Sequence, residues 1–333
     1  MKYRLFNVNN YTINTSELGS FLHGEVVSEL EEKFAAYVGA KHACSANSAS
    51  SLIQLALTGV AMNVVPEALR MNPVCIPSVM PIAVPNIVNN LGLPAVWSDD
   101  TNWVGGSYVL YNTEGILKSM PEEDRQAAKP FKIIDSSQEV YRNQFAEKFS
   151  EEDLAIYSFY PTKPVGGIDG GMVVSNNAEA IEYFRSATNL GFSRNRTLPS
   201  WEQQVGFPGW KMNSNSAQCY VALKNLEKLD EKNERLDQIR EKYNDAFGLS
   251  NTSRHLYRIN REDRTRFMAR MNKYEIECGV HYRDAHNYGI YNIATPQDMS
   301  NSQKNAGTTI SIPFNESLSD SDVDFIIEKA KED

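Results

Sequence analysis

Cysteine is scarce in this chain. Its 333 residues hold four, Cys44, Cys75, Cys219 and Cys278, and no two form a Cys-x-x-Cys pair. That spacing argues against a disulfide framework or a zinc ribbon and for thiols kept in a reducing compartment. Long apolar runs are missing as well. No stretch of eighteen apolar residues occurs, and the opening MKYRLFNVNN lacks the apolar centre of a signal peptide. A cytoplasmic protein without membrane contact is therefore expected. Positive charge is in deficit, 33 Lys and Arg against 42 Asp and Glu for a net −9, which argues against nucleic acid as the main partner. Histidine is limited to five. Only His281 and His286 lie close together, and no third ligand at a fitting spacing joins them, so no metal is expected. The GGIDGG of residues 166–171 is not a GxGxxG motif and no helix pattern follows it, which removes a dinucleotide reading.

What is present reads as an ordinary globular protein, with 41% apolar and 23% charged residues. The length suggests two domains, 1–220 and 221–333. In EVVSELEEKFAAYV, Val27, Leu30, Phe34 and Val38 fall at helical spacing, and Gly39 is a C-terminal stop. HACSAN reads as a buried strand and SSLIQLALTGV as a helix opening near Ser50. VCIPSV, PAVWSDD, SYVLYN, FKIIDSS, DLAIYSFY and GGMVVS continue as short apolar strands, with a helix near residues 82–91. That alternation predicts an α/β large domain with a mainly parallel, doubly wound sheet, in which ligands sit at the carboxyl ends of strands. From about residue 217 a long, charged, periodic helix leads into a smaller α+β unit holding HLYRI, GVHYR, TTISIPF and a last helix.

Three strand ends carry polar groups suited to one chemistry. Ser48–Ser51 open a helix, where free N–H groups and hydroxyls favour a phosphate; an ordinary N-cap is the alternative. Asp135 ends the apolar strand KIID, with Gln138 three residues on. A carboxylate there must be paired or hydrogen-bonded, or else cap the next helix. Lys163 follows SFYPT, and a lysine in an apolar site has a lowered pKa and becomes a nucleophile toward carbonyls. A phosphate nest, a carboxylate and a lysine in this order meet the needs of pyridoxal phosphate.

These residues resemble a family. DSSQEVYR followed by YSFYPTKPVGGIDGGMVV is similar to the DSAQ…SFYPTK…GGM blocks of the DegT–StrS sugar aminotransferases, fold-type I pyridoxal-phosphate enzymes. HGEVVSELEEKFAAYVGAKHAC, SASSLIQLAL, HLYRI, ECGVHYRDAH and SIPFNESLSDSDVDFII resemble further blocks in the same order. The resemblance implies that Lys163 holds the cofactor covalently and shuttles the proton. It implies that Asp135 pairs with the pyridine nitrogen and that Gln138 lies near the phenolic oxygen. Ser50, the Ser51 amide and Ser158 would bind the phosphate. It also implies a homodimer with shared active sites, a nucleotide-sugar substrate, glutamate as amino donor, and a sugar pocket involving His281, His286 and Tyr160. The chain departs from the family pattern in three places. Pro81, beside Met80, stands where an aromatic residue covers the cofactor. Lys211 stands where the partner subunit supplies an asparagine, with Asn213 and Asn215 as neighbours. The stretch between Asp99 and Asp135 is short. Two alternatives are a binding protein of the same fold without turnover and a sugar dehydratase. Dehydratases of the family carry histidine in place of the lysine, so Lys163 argues against the latter.

Overall fold

The computed structural model describes residues 1–8, 10–61, 72–119, 129–192, 198–199 and 201–332. It has the expected α/β class with a smaller C-terminal α+β unit. The first helix, α1 (Glu25–Val38), buries Val27, Leu30, Phe34 and Val38 and ends at Gly39 in the left-handed region, as its spacing and its glycine predict. Strand β1 (His42–Ala46) leads to α2 (Ala49–Ala61). Next come β2 (Val74–Pro77), α3 (Ala83–Leu91), β3 (Ala95–Ser98), β4 (Tyr108–Asn112), α4 (Glu114–Ser119), β5 (Lys132–Asp135), α5 (Gln144–Lys148), β6 (Leu154–Ser158), β7 (Gly171–Ser175) and α6 (Ala178–Ala187).

Five strands form one sheet in the order β1-β7-β6-β5-β4, with β2-β3 pairing separately. Parallel pairing joins β5 to β6 and β2 to β3. The β1–β7, β6–β7 and β4–β5 pairs are antiparallel. The local reason at β7 is its connection: residues 159–170 hold no helix to cross over the sheet, so the chain turns straight back. Strands β1, β5 and β6 thus share one direction, and their carboxyl ends share one edge. Among the described residues no helix is long and apolar enough to cross a membrane.

The long helix expected after residue 217 is two helices, α7 (Ser216–Leu226) and α8 (Leu229–Phe247). The break serves two cores. Leu223, Leu226 and Leu229 pack with α1 and the sheet, whereas Leu236, Ile239 and Tyr243 pack in the C-terminal core. One straight helix would carry a single stripe to a single core. The C-terminal unit adds β8 (Tyr257–Asn260), α9 (Arg264–Lys273), α10 (Ser300–Thr308), β9 (Thr309–Ile312) and α11 (Asp320–Lys331). Tyr3, from the other end of the chain, joins its core.

One contact sets how α2 meets the sheet. Gly171 opens β7, and a Cβ there would lie 2.5 Å from the backbone nitrogen of Ala49. Only glycine lets the first turn of α2 press against the strand. Gly171→Ala is expected to push that turn away and to cost about 1–3 kcal/mol by overpacking. Gly115→Ala, at a glycine with open space around it, is the control. Urea unfolding of both variants checks this: equal stabilities would show that the contact relaxes freely.

Candidate active site

The shared edge of β1, β5 and β6 gathers the residues that follow those strands: 47–51, 135–138 and 158–163. Ser158 lies opposite Gly171 in the β6–β7 register, and Gly171 touches Ala49. Ser158 therefore sits beside the first turn of α2, which carries Ser50 and Ser51. In that turn Ser48 Oγ accepts from the Ser51 N–H at 3.1 Å, and Ser51 Oγ donates to Asn47 Oδ1 at 2.7 Å. Ser158 Oγ accepts from the Tyr160 N–H at 3.2 Å. Both the capping role and the cluster of hydroxyls at one helix N-terminus are thus present.

Lys163 sits on a loop held from three sides. Its own N–H donates to the Tyr160 carbonyl at 2.9 Å. Lys232 Nζ, from α8, donates to the Pro164 carbonyl at 2.9 Å, and Asn225 Nδ2, from α7, to the Gly166 carbonyl at 2.7 Å. Gly166 takes a left-handed φ of 65° to close the turn. Lys163 is half-buried, and the burial of its amine pulls the pKa down to about 8, opposed in part by the charge of Asp135. A cavity of ≈ 20 Å³, lined by Phe6, Lys163, Lys232 and His255 among others, lies beside it. That is room for about one water.

Asp135 is buried, 6% exposed, and its Oδ1 accepts from the Ser137 N–H at 2.9 Å. Gln138 is buried too. Its Oε1 accepts from the Gly105 N–H at 2.9 Å and its Nε2 donates to the Tyr282 hydroxyl at 3.2 Å. Two histidines face the lysine. Burial, then the positive charge of Lys163, pushes His281 down to about 4 and His255 well below its ordinary value. His281 Nδ1 bonds Ser311 Oγ at 2.9 Å, and His255 stacks on Phe6 with centroids 5.4 Å apart.

The remaining sequence candidates spread out. Met80 is buried and Pro81 half-buried beyond the end of β2. The preceding Val79 carbonyl accepts from Trp103 Nε1 at 3.0 Å. His286 Nδ1 bonds Ser78 Oγ at 2.6 Å, so it belongs to the end of β2, while His281 is the one near Lys163. Tyr160 is 55% exposed. Lys211 is exposed, and its backbone bridges to Asn189. Asn213 Nδ2 donates to Asn189 Oδ1, and Asn215 caps α7 through the Gln218 N–H. The sequence reading missed His255, Arg258, Lys232 and Tyr282 as neighbours of the site. They come from α8, the turn before β8, β8 itself and the loop after α9, and no spacing links them to Lys163. Alternation in HLYRI shows only that Arg258 faces away from the core that takes Tyr257 and Ile259.

The lowered pKa of Lys163 has a sign that can be tested. The folded pKa, about 8, lies below the 10.5 of a free lysine. Below pH 8 the amine is charged in both states and its burial destabilises the fold, by up to roughly 3 kcal/mol at 1.36 kcal/mol per unit. Between pH 8 and 10.5 the unfolded state binds more protons, so stability rises with pH. Lys163→Met in cofactor-free protein is expected to be more stable than wild type at pH 7, with the gain fading as pH approaches 10.5. Urea unfolding across that range checks it; a constant difference would mean that the amine is solvated.

The family model described as the DegT/DnrJ/EryC1/StrS aminotransferase family matches residues 7–102 and 140–331. The unmatched interval contains the short stretch before Asp135, together with Asp135 and Gln138. The spore coat polysaccharide biosynthesis protein SpsC of Bacillus subtilis is 26% identical, covering 96% of this chain and 92% of that protein. A UDP-4-amino-4,6-dideoxy-N-acetyl-beta-L-altrosamine transaminase of Campylobacter jejuni is 26% identical, covering 71% of this chain and 69% of that one. Among solved structures, the sugar aminotransferase CalS13 from Micromonospora echinospora superposes with a TM-score of 0.76 at 18% identity, covering 99% of both chains, which speaks to the fold. Matched over most of its length, the chain belongs to the DegT/DnrJ/EryC1/StrS aminotransferase family.

Proposed function

We propose that this protein is a pyridoxal-phosphate-dependent aminotransferase. It moves an amino group, from glutamate, to a keto carbon of a nucleotide-linked sugar. The observation that carries the reading is the enclosed amine of Lys163 within electrostatic reach of buried Asp135, at the sheet edge that also holds the first turn of α2. The Campylobacter relative is a UDP-sugar transaminase by name, and a putative sugar aminotransferase of Streptococcus pneumoniae has been solved in PLP and PMP forms.

The residues fit that cofactor. Ser50, Ser51 and Ser158, on elements that Gly171 lets approach closely, would hold its phosphate. Asp135 would hold a proton on the pyridine nitrogen, Gln138 would meet the phenolic oxygen, and Met80 and Pro81 would cover one face of the ring. When bound, the cofactor supplies an electron sink. A lysine of pKa about 8 has a substantial neutral fraction near neutral pH, so Lys163 Nζ would be able to hold the cofactor covalently and to move a proton at the substrate carbon. His281 and His255, held neutral, add no positive charge beside that amine.

The proposed active unit is a cytoplasmic homodimer with shared sites. Lys211, exposed in the single chain, reaches the cofactor phosphate of the partner subunit. A reading without turnover is favoured by one observation: the family match is interrupted over 103–139, where β4 runs antiparallel to β5.

Two experiments decide. Lys163→Ala is expected to lower amino transfer from glutamate by several orders of magnitude, since both its roles vanish. Asp135→Asn is expected to keep the fold and lose most of the rate, with an altered cofactor absorbance. Near-normal turnover in Lys163→Ala sinks the reading, and a wild type that binds cofactor without reacting with glutamate supports the binding protein. The second experiment is cofactor titration of Lys211→Ala. A weakening of roughly ten- to a hundredfold is expected for a charge-assisted phosphate contact. An unchanged affinity, with Asn213→Ala weakened instead, would move the contact to the asparagine.

A further inference from the structure

Arg258 lies on β8 opposite Ser311 of β9. Tyr257, Ile259, Ile310 and Ile312 enter the C-terminal core, so the two-residue period of a strand sends Arg258 and Ser311 to the other face. That face looks toward the large domain. Ser311 holds His281 there, and Arg258 Nη2 donates to the Thr101 carbonyl at 3.1 Å. The other terminal nitrogen, Nη1, is buried and has no hydrogen-bond partner. Burial lowers the pKa of the guanidinium, and the group that opposes this is the Tyr282 phenol, not a carboxylate. The position borders the candidate active site. His281 feels the charges of both Lys163 and Arg258, and Tyr282 those of Asp135 and Arg258.

A half-buried cation with one buried, unused donor is costly unless an anion meets it. The planar fork of arginine matches a carboxylate, and a contact closed off from water is screened little. We propose that Arg258 receives a substrate carboxylate through Nη1, on the side of the guanidinium not engaged with Thr101. The carboxylate belongs either to the amino-acid donor or to an acidic sugar; the recognising chemistry is the same. The ligand enters by moving a neighbouring side chain, since Nη1 is enclosed. This inference rests on the reading of the Lys163 site as the place where both substrates react.

The test is calorimetric titration of the protein, incubated with pyridoxal phosphate, with three probes that undergo no amino transfer. Glutarate stands for the donor carboxylate. UDP-glucuronate, compared with UDP-glucose, stands for a sugar carboxylate. Arg258→Met is expected to weaken one acid by roughly ten- to a hundredfold. Loss confined to glutarate, with a raised KM for glutamate and a kcat that changes far less, assigns the donor. Loss confined to UDP-glucuronate assigns the sugar. Arg258→Lys is expected to recover part of the affinity, and it carries the comparison alone if Arg258→Met does not fold. If both acids bind the variants within about twofold of wild type, or wild type binds neither, Arg258 is a strut on Thr101 and the proposal is wrong. The titrations need no turnover. A wild type that binds an acid through Arg258 yet transfers no amino group would count against the aminotransferase reading and leave the carboxylate site standing.

Discussion

Keeping the amine of Lys163 out of bulk water is the constraint around which the rest of the site is arranged. A lysine in water is charged and inert as a nucleophile near neutral pH. Enclosure alone brings this one to about 8, against the pull of Asp135. Enclosure requires walls from both parts of the chain. The loop itself comes from the sheet edge. Its carbonyls are held by Asn225 and Lys232, on either side of the break between α7 and α8. Phe6, His255 and His281 close the remaining side from the N-terminal segment and the C-terminal unit. The two-helix form of the linking segment thus has a use: α7 stays with the sheet, while α8 carries Lys232 across to the second core.

The net charge of the whole protein says little about the site. The chain carries a net −9, yet the groups around Lys163 include Lys232, Arg254, Arg258 and two neutral histidines. Lys232 is itself half-buried, with its pKa lowered by that partial burial and opposed by Glu316. Net charge describes the solvated surface, where ion pairs such as Lys33–Glu29 are worth little. Around Lys163 most cations are balanced by carboxylates, Arg254 by Asp237 and Lys232 by Glu316, whereas the guanidinium of Arg258 has the Tyr282 phenol and no carboxylate acting on it.

Much of this was legible in the chain. Helix α1 ended at the glycine where its spacing said it would, and the strands β1 to β7 fell within the short apolar runs read for them. Local rules suffice there, because periodicity and capping act over a turn or a strand length. Asp135 and Lys163 stood out for a similar reason: a polar group at or just beyond the end of an apolar strand is visible in a window of ten residues, whereas Ser158 was named by the resemblance alone. Strand direction was not visible in that way. That β4 runs against β5 is decided by how residues 113 and 131 pair across the sheet, through Thr113 and the Phe131 carbonyl.

By itself, then, the sequence determined the elements, the order of the polar strand ends and the resemblance that names the chemistry. Each of these is written in neighbouring residues. The tertiary structure alone decided which distant groups surround Lys163, which of two nearby histidines faces it, and that Arg258 is left with an unused donor. His281 and His286 are five residues apart, yet one bonds Ser311 and the other Ser78. Their separation comes from the packing of two units against each other, which depends on long-range burial and leaves no local pattern in the chain.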